Sequence, residues 1–263
     1  MNKEERKQAI ATFEELLDIM DRLRAECPWD KKQTLDSLRY LTIEETYELS
    51  DAIINNDLDE IKKELGDIML HIVFYAKIGE EKNAFNIADV FRGINEKLIR
   101  RHPHIFSDVE VQTDEDVKNN WEKIKLKEGR KSVLEGVPNS LPAMVKAYRM
   151  QEKARGIGFD WENSEQVFEK VKEEYGELMA ELPKEDNHQN IENEFGDLLF
   201  ALINWSRFID VNPEDALERT NKKFKQRLQY MEKKATDNNK NLHEMTLAEM
   251  DIWWNEAKQQ NIE

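Results

Sequence analysis

The chain contains little glycine, proline or cysteine for its length. Nine glycines and six prolines among 263 residues disfavour a loop-rich β protein. The single cysteine, Cys27, excludes an internal disulfide and fits a reducing compartment, so we expect a cytoplasmic protein in which Cys27 serves packing. The first six residues have no apolar segment, and no signal peptide is predicted.

Positive charge and long apolar runs are also scarce. The net charge is −16, which makes the protein a poor partner for nucleic-acid polymers or anionic membranes. The longest apolar stretch, residues 68 to 78, is interrupted by His71 and Lys77 and is too short to span a bilayer. A small phosphorylated ligand remains compatible with this charge if a metal and a few cations are gathered locally.

Apolar residues recur at helical spacing along most of the chain, whereas few segments alternate with a period of two. The sequence therefore predicts an all-α protein. The predicted helices span approximately residues 4–25, 35–55, 58–82, 87–101, 114–127, 143–155, 165–182, 191–209, 213–236 and 246–260.

A carboxylate motif occurs twice. Glu-Glu-x-x-Glu is followed, about sixteen residues later, by Glu-x-Gly-Asp and an apolar run. The first copy consists of Glu44, Glu45, Glu48, Glu64, Gly66 and Asp67, and the second of Glu173, Glu174, Glu177, Glu194, Gly196 and Asp197.

The duplication extends beyond the carboxylates. Trp29 and Trp161 occupy matching places, as do Trp121 and Trp254, and each pair is about 130 residues apart. A repeat of domain size predicts two fused copies of one helical bundle. We expect an N-terminal domain at 1–128, a Gly- and Pro-containing linker at 129–142 and a C-terminal domain at 143–263.

The spacing of the carboxylates favours a metal site. Residues three apart share a face of a helix, so two adjacent helices would direct four carboxylates to one point. Such a cluster must protonate or hold a cation, and oxygen ligands suit Mg²⁺ or Mn²⁺. The alternative is that these glutamates are merely solvated helix faces. A ferritin-like di-iron site is disfavoured because it needs paired Glu-x-x-His motifs, and Ala201 stands where His71 does in the first copy.

Basic and aromatic residues could complete a nucleotide site. Lys223 and Arg227 share a helical face and could contact phosphates, although surface lysines and arginines are common. Trp254 could stack on a base or could pack in the core. Lys170 lies one turn before Glu174, where its charge could reach a phosphate, and Leu41 holds the matching place in the first copy.

With these motifs, and with Arg-Arg-His-Pro-His at 100 to 104 and Gly-Phe-Asp-Trp at 158 to 161, the chain resembles the two-domain MazG proteins. The resemblance covers nearly the whole chain. It implies an all-α fold, Mg²⁺ dependence, homodimers and cleavage of nucleoside triphosphates to monophosphates and pyrophosphate. Broad substrate specificity and a role in nucleotide-pool housekeeping are also implied.

The resemblance assigns roles to particular residues, mainly in the second copy, which is expected to be the main catalytic unit. The first copy keeps the matching carboxylates, so we expect a second metal site there as well. Glu173, the one carboxylate without a ligand role, is expected to orient a ligand or act as a base, with Lys170 beside it. Asn190 departs from the lysine that family members can carry there. The implied metal ligands are Glu174, Glu177, Glu194 and Asp197, the second-site ligands are Glu45, Glu48, Glu64 and Asp67, and the nucleotide contacts are Lys170, Lys223, Arg227 and Trp254.

Two other functions are compatible with the same residues. A nucleotide sensor would bind metal and triphosphate without cleaving it. A structural helical protein would only present acidic faces to a partner, and Mg²⁺ with nucleotide would then leave its thermal stability unchanged.

Overall fold

The computed structural model describes residues 1–107, 109–111, 113, 116–117, 120–121, 124, 128 and 132–260. Within these residues the regular structure is α-helix with short 3₁₀ turns, which confirms the predicted all-α fold. Most of the predicted helix at 114–127 lies outside the described residues, as do residues 129 to 131 of the predicted linker. None of the helices described is both long and apolar enough to span a membrane.

The chain divides into two compact units, Met1–Val111 and Gln112–Glu263. The linker predicted at 129–142 falls within the second unit. Each carboxylate motif lies within a single unit.

The first unit is an arrangement of four long helices and one short helix. A 3₁₀ turn at Asp30–Lys32 separates the first two. The helices are α1 (Lys3–Glu26), α2 (Leu35–Ile54), α3 (Leu58–Glu81), α4 (Ile87–Arg101) and α5 (Pro103–Phe106).

Polar side chains fix where these helices begin. Asn2, Thr34 and Asn86 each accept a hydrogen bond from the backbone three residues on, in reciprocal capping boxes. Asp57 caps α3 by accepting from the backbone N–H groups of Asp59 and Glu60. Asn56, just before it, takes a left-handed conformation with φ of 54°.

The core of the first unit forms where α3 packs against α2 and α1. Its fully buried members are Met20, Leu38, Val73, Phe74 and Ile78. Gly79 permits close packing here, because a Cβ at this position would meet the ring of Phe85 at 2.7 Å. This packing places the carboxylates of α2 beside those of α3.

Within residues 132–260, the second unit contains two helical pairs and one further helix. The most extensive packing joins α7 with α8, and α9 pairs with α10; α6 packs on α8 and more lightly on α9. The helices are α6 (Ala143–Arg155), α7 (Ser164–Glu181), α8 (His188–Phe208), α9 (Pro213–Asp237) and α10 (Leu247–Gln259).

The turn between α7 and α8 is held by its own polar residues. Asp186 adopts φ of 50°, and the Asn187 amide donates to the backbone oxygen of Glu181 at 3.1 Å. The α8 helix starts at His188, three residues before the predicted start at Ile191. The start was placed too late because the polar first turn of α8 has no apolar residue to mark it.

Candidate metal and nucleotide site

Three carboxylates of the second unit converge between α7 and α8. Glu174 on α7 and Glu194 and Asp197 on α8 each offer an oxygen, and these oxygens lie within 4.8 Å of one another. Glu174 is only 7% exposed because it shares the buried face of α7 with Val171 and Leu178. Asp197 faces solvent, so the cluster is anchored at one side and open at the other.

Glu177 lies beside this group, one turn along α7 from Glu174, and is exposed. Its pKa is raised by desolvation and by the negative charges of Glu174 and Glu194, while Lys170 acts in the opposite direction. Glu177, the fourth predicted ligand, is therefore close enough for the charges of the cluster to raise its pKa. The oxygens that lie within 4.8 Å of one another belong to the other three carboxylates.

Lys170 is in direct contact with the cluster. Its Nζ lies 2.8 Å from Glu173 Oε1 and 2.7 Å from Glu174 Oε1. Hydrogen bonds to Glu173 and then to Glu174 raise its pKa, so the side chain is held in its charged form. In the first unit Leu41 occupies this position and packs against the core instead.

A second carboxylate group lies between α2 and α3 of the first unit. Oxygens of Glu45, Glu48 and Glu64 lie within 4.8 Å of one another. Glu64 is 5% exposed, and its buried Oε2 has no hydrogen-bond partner among the described residues. Desolvation raises its pKa, and the charges of Glu48, Glu45 and Asp67 raise it further. A buried carboxylate oxygen that has no hydrogen-bond partner and lies among like charges is a favourable position for a cation.

The pKa of Glu45 is also raised, by desolvation first and then by Asp67 and Glu48. The charge of His71, buried on α3, opposes that rise. The ring of His71 lies edge-on to Tyr75, whose hydroxyl is 2.6 Å from Thr42 Oγ1. Within the described residues both convergent groups consist of carboxylates alone, which suits a hard divalent cation.

The other predicted nucleotide contacts occupy a different helical pair. Lys223 and Arg227 lie on α9, and Trp254 lies on α10. The guanidinium of Arg227 sits 5.8 Å from the Trp254 ring, which also contacts Phe224 at 5.3 Å between centroids. Arg227 and Trp254 therefore lie together on the α9–α10 pair, whereas the carboxylates belong to the α7–α8 pair.

Asn190 lies in the first turn of α8. The pKa of Glu181 is lowered by hydrogen bonds from Lys184 and Asn187, with a smaller contribution from Asn190.

Sequence reasoning assigned no role to a cavity of about 540 Å³ at the far end of α8. Its lining includes Gln151, Phe200 and Arg207 and the Gly-Phe-Asp-Trp segment at 158 to 161. The Gly-Phe-Asp-Trp segment is the sequence feature that could have indicated this cavity. Local pattern does not predict which other residues lie beside it.

The two segments that hold the carboxylates match one family model. Residues 33–106 and 162–231 each match the model of the MazG nucleotide pyrophosphohydrolase domain. The chain belongs to the MazG family. The first MazG segment contains α2 to α5, and the second contains α7, α8 and most of α9.

Similar proteins that match nearly the full chain support its membership of the MazG family. The chain is 44% identical to the nucleoside triphosphate pyrophosphohydrolase/pyrophosphatase MazG of Thermotoga maritima, covering 96% of this chain and 98% of that protein. It is 38% identical to the nucleoside triphosphate pyrophosphohydrolase of Escherichia coli K12, covering 95% and 98%. It is also 46% identical to YabN of Bacillus subtilis, covering 97% of this chain and 53% of that protein. The MazG segments include both carboxylate groups, whereas Trp254 and residues 151 to 161 lie outside them.

Proposed function

We propose that this MazG protein hydrolyses nucleoside triphosphates to monophosphates and pyrophosphate, using a divalent cation, with Mg²⁺ preferred and Mn²⁺ accepted. The observation that carries the proposal is the convergence of Glu174, Glu194 and Asp197 within 4.8 Å. Relatives that match almost end to end are named for this activity. An oxygen-only site of this kind suits Mg²⁺ delivered with substrate phosphates.

When bound, the cation supplies positive charge to the triphosphate oxygens and makes a water molecule more acidic. Glu174, Glu194 and Asp197 would hold it, and Glu177 would complete the ligand set. Each of these carboxylates then exchanges like-charge repulsion for a favourable ionic contact.

The remaining residues of the site act on protons and phosphate charge. Glu173 is exposed beside the cluster, pairs with Lys170 and has no ligand role in this proposal, so it is the carboxylate that takes a proton from the attacking water. Lys170 keeps its charge in contact with Glu173 and Glu174, and it offsets negative charge that develops on the leaving pyrophosphate. Because Leu41 replaces this lysine in the first unit, we assign the main activity to the second unit and a metal-binding role to the first.

The protein acts as a homodimer in this proposal. Arg227 on α9 contacts Trp254 on α10, and Lys223 lies one turn before Arg227, whereas the carboxylates lie on the α7–α8 pair. A second copy could supply these residues to the phosphates and the nucleoside. Broad specificity fits a housekeeping role in the nucleotide pool, and a kcat/KM screen of common and damaged triphosphates would measure it.

Pyrophosphate release in the presence of Mg²⁺ tests the activity directly. We expect Glu174→Gln and Asp197→Asn each to lower kcat by roughly a hundredfold or more while the helical circular dichroism is retained. Glu48→Gln in the first unit is the matched control and should keep most of the activity. Turnover at the parent rate in both second-unit variants would refute the assignment, and binding without release would indicate a sensor.

A further inference from the structure

The second unit contains an open cavity at a position where the first unit has a core residue. The cavity has a volume of about 540 Å³ and lies between α6, α8 and the segment 158 to 161. Asn204, seven residues after Asp197, lines it. Phe74, seven residues after Asp67 in the first copy, is 2% exposed and belongs to the core of its unit. A short amide therefore stands where the matching helix carries a buried ring, and this leaves space beside α8.

Aromatic rings form much of the wall of this cavity. Phe159, Trp161 and Phe200 line it, and 79%, 44% and 44% of their surfaces are exposed. Flat apolar rings around a cavity of this size suit a planar ligand that stacks on them. The described residues that line the cavity do not include the carboxylate ligands or Trp254, so it is separate from the site proposed for the triphosphate.

Gln151 places a fixed hydrogen-bond acceptor in the lining. The residue is 6% exposed, and its Nε2 donates to the backbone oxygen of Phe200 at 2.9 Å. That bond fixes which end of the amide is nitrogen, because a flipped amide would set oxygen against oxygen. The remaining atom, Oε1, is buried and has no hydrogen-bond partner among the described residues. A buried acceptor in this state calls for a donor from a ligand or a water.

The charged groups of the lining neutralise each other. Arg207 has a side chain only 5% exposed, and its Nη2 lies 2.6 Å from Asp160 Oδ2. Its Nη1 donates to Asn204 Oδ1 at 2.6 Å, so the Nδ2 of Asn204 is the donor end of that amide. The cavity therefore offers hydrogen-bonding groups without net charge, which favours an uncharged ligand over a phosphate.

We propose that this cavity is an accessory binding site for an uncharged planar molecule, distinct from the triphosphate substrate, that stacks on Trp161 and donates an N–H to Gln151 Oε1. The inference goes beyond the proposed function, because it concerns a second ligand and none of the residues assigned to metal or nucleotide. The same position in the first unit is occupied by the ring of Phe74, so the site belongs to the second unit.

The acceptor is tested on the parent protein with two probes. Indole is planar and uncharged and has one N–H, and 1-methylindole carries a methyl group in place of that hydrogen. We expect calorimetric titration to show saturable binding of indole and to show 1-methylindole binding about fivefold more weakly or less, since it cannot donate to Gln151 Oε1. Equal affinities for the two probes would overturn the proposal, as would the absence of saturable binding at millimolar indole, because water would then satisfy Gln151.

The distinction from the substrate site is tested by competition. The competitor is an α,β-methylene nucleoside triphosphate with Mg²⁺, which resists cleavage at the α–β bond. At a saturating concentration of this nucleotide, the dissociation constant of indole should stay within about twofold of its value in the free protein. Displacement of indole by the nucleotide would place the cavity in the triphosphate site and overturn the proposal.

A pair of tryptophan variants tests the location. Trp161→Ala removes a ring of the cavity wall and should weaken indole binding by about fivefold or more, whereas Trp161→Phe should keep most of the affinity. Trp29→Ala is the matched control, because Trp29 is the exposed counterpart in the first unit and should leave the affinity unchanged. Equal affinities in Trp161→Ala and the parent would place indole elsewhere and overturn the proposal.

Asn204→Phe fills the cavity in the way that the first unit does. The ring copies Phe74, and we expect indole binding to weaken by about tenfold or more while helical circular dichroism and pyrophosphate release stay close to those of the parent. A folded Asn204→Phe protein that binds indole as tightly as the parent would refute the proposal. If this variant fails to fold, the pair of probes and the exposed Trp161 still decide the question.

Discussion

Gly158 shows how one residue shapes the wall of the cavity at the end of α8. It ends the turn after α6 with φ of 85°, while the Phe159 N–H donates to the Ala154 oxygen at 3.0 Å. Such a left-handed position favours glycine because a Cβ would crowd the following carbonyl. The turn directs residues 159 to 161 towards α8, where Asp160 meets Arg207.

The conformation of Gly158 leads to a stability prediction. A Cβ at this position would meet no atom within 4 Å, so Gly158→Ala adds backbone strain and no clash. We expect the free energy of unfolding to fall by about 1 kcal/mol in urea titrations.

Gly93→Ala is the paired control for that prediction. Gly93 lies inside α4, where an added Cβ is also unobstructed, and the substitution should raise stability by about 0.5–1 kcal/mol. Shifts of the same sign in the two variants would show that the turn at Gly158 tolerates a side chain.

At the scale of helices, periodicity and caps predicted most of the fold. The limits of α2, α3, α4 and α6 agree with the prediction to within one residue, because capping residues or prolines mark their starts. The short α5 was missed. Four residues after His102 are too few to carry a periodic pattern, and the turn is visible only from its Pro103 start.

Part of the site was predictable for the same reason. Spacing within a helix determines that Glu194 and Asp197 share a face, and the apolar run after them indicates that the face is near the core. Which helix packs on which is set by long-range contacts. The contact of Arg227 with Trp254 between α9 and α10, and the hydrogen bond from Gln151 to Phe200, could not be predicted from local pattern.

The ion pair that joins α1 to α3 gives a pH prediction. Arg24 Nε and Nη2 donate to the two oxygens of Glu81 at 2.8 and 2.6 Å. The hydrogen bond from Arg24 lowers the pKa of Glu81 below its ordinary 4.5. A lowered folded-state pKa contributes stability that is present above pH 4.5 and is lost as the pH falls through the folded-state pKa.

We therefore expect Glu81→Gln to lower the free energy of unfolding by about 1 kcal/mol at pH 7, a modest figure because Glu81 is partly exposed to solvent. The gap between parent and variant should close as the pH falls below 4.5. Denaturant titrations at several pH values from 7 to below 4.5 measure this difference in the free energy of unfolding. Glu60→Gln, which removes an exposed pair within α3, is the control and should cost less. A gap that stayed constant with pH would show that charge is not its cause.

At the scale of the whole molecule, the duplication repeats an apolar surface as well as the carboxylates. On α3 the exposed side chains of Leu65, Met69 and Ile72 follow one face. On α8 the corresponding residues are Phe195, Leu199 and Leu202, and they are exposed as well. A repeated apolar stripe on the carboxylate helices indicates an interaction surface.

We expect the α8 stripe to pair with a second copy, in keeping with the proposed homodimer. Phe195→Glu with Leu199→Glu would place charges in a face that association must dehydrate, so sedimentation equilibrium should show a shift from dimer towards monomer. Pyrophosphate release should fall with it if Lys223 and Arg227 act on the partner's substrate. Ile10→Glu on α1, another exposed apolar position, is the control and should leave both unchanged. A double variant that stayed dimeric would locate the interface elsewhere, and a monomer with full activity would mean that each copy supplies its own phosphate contacts.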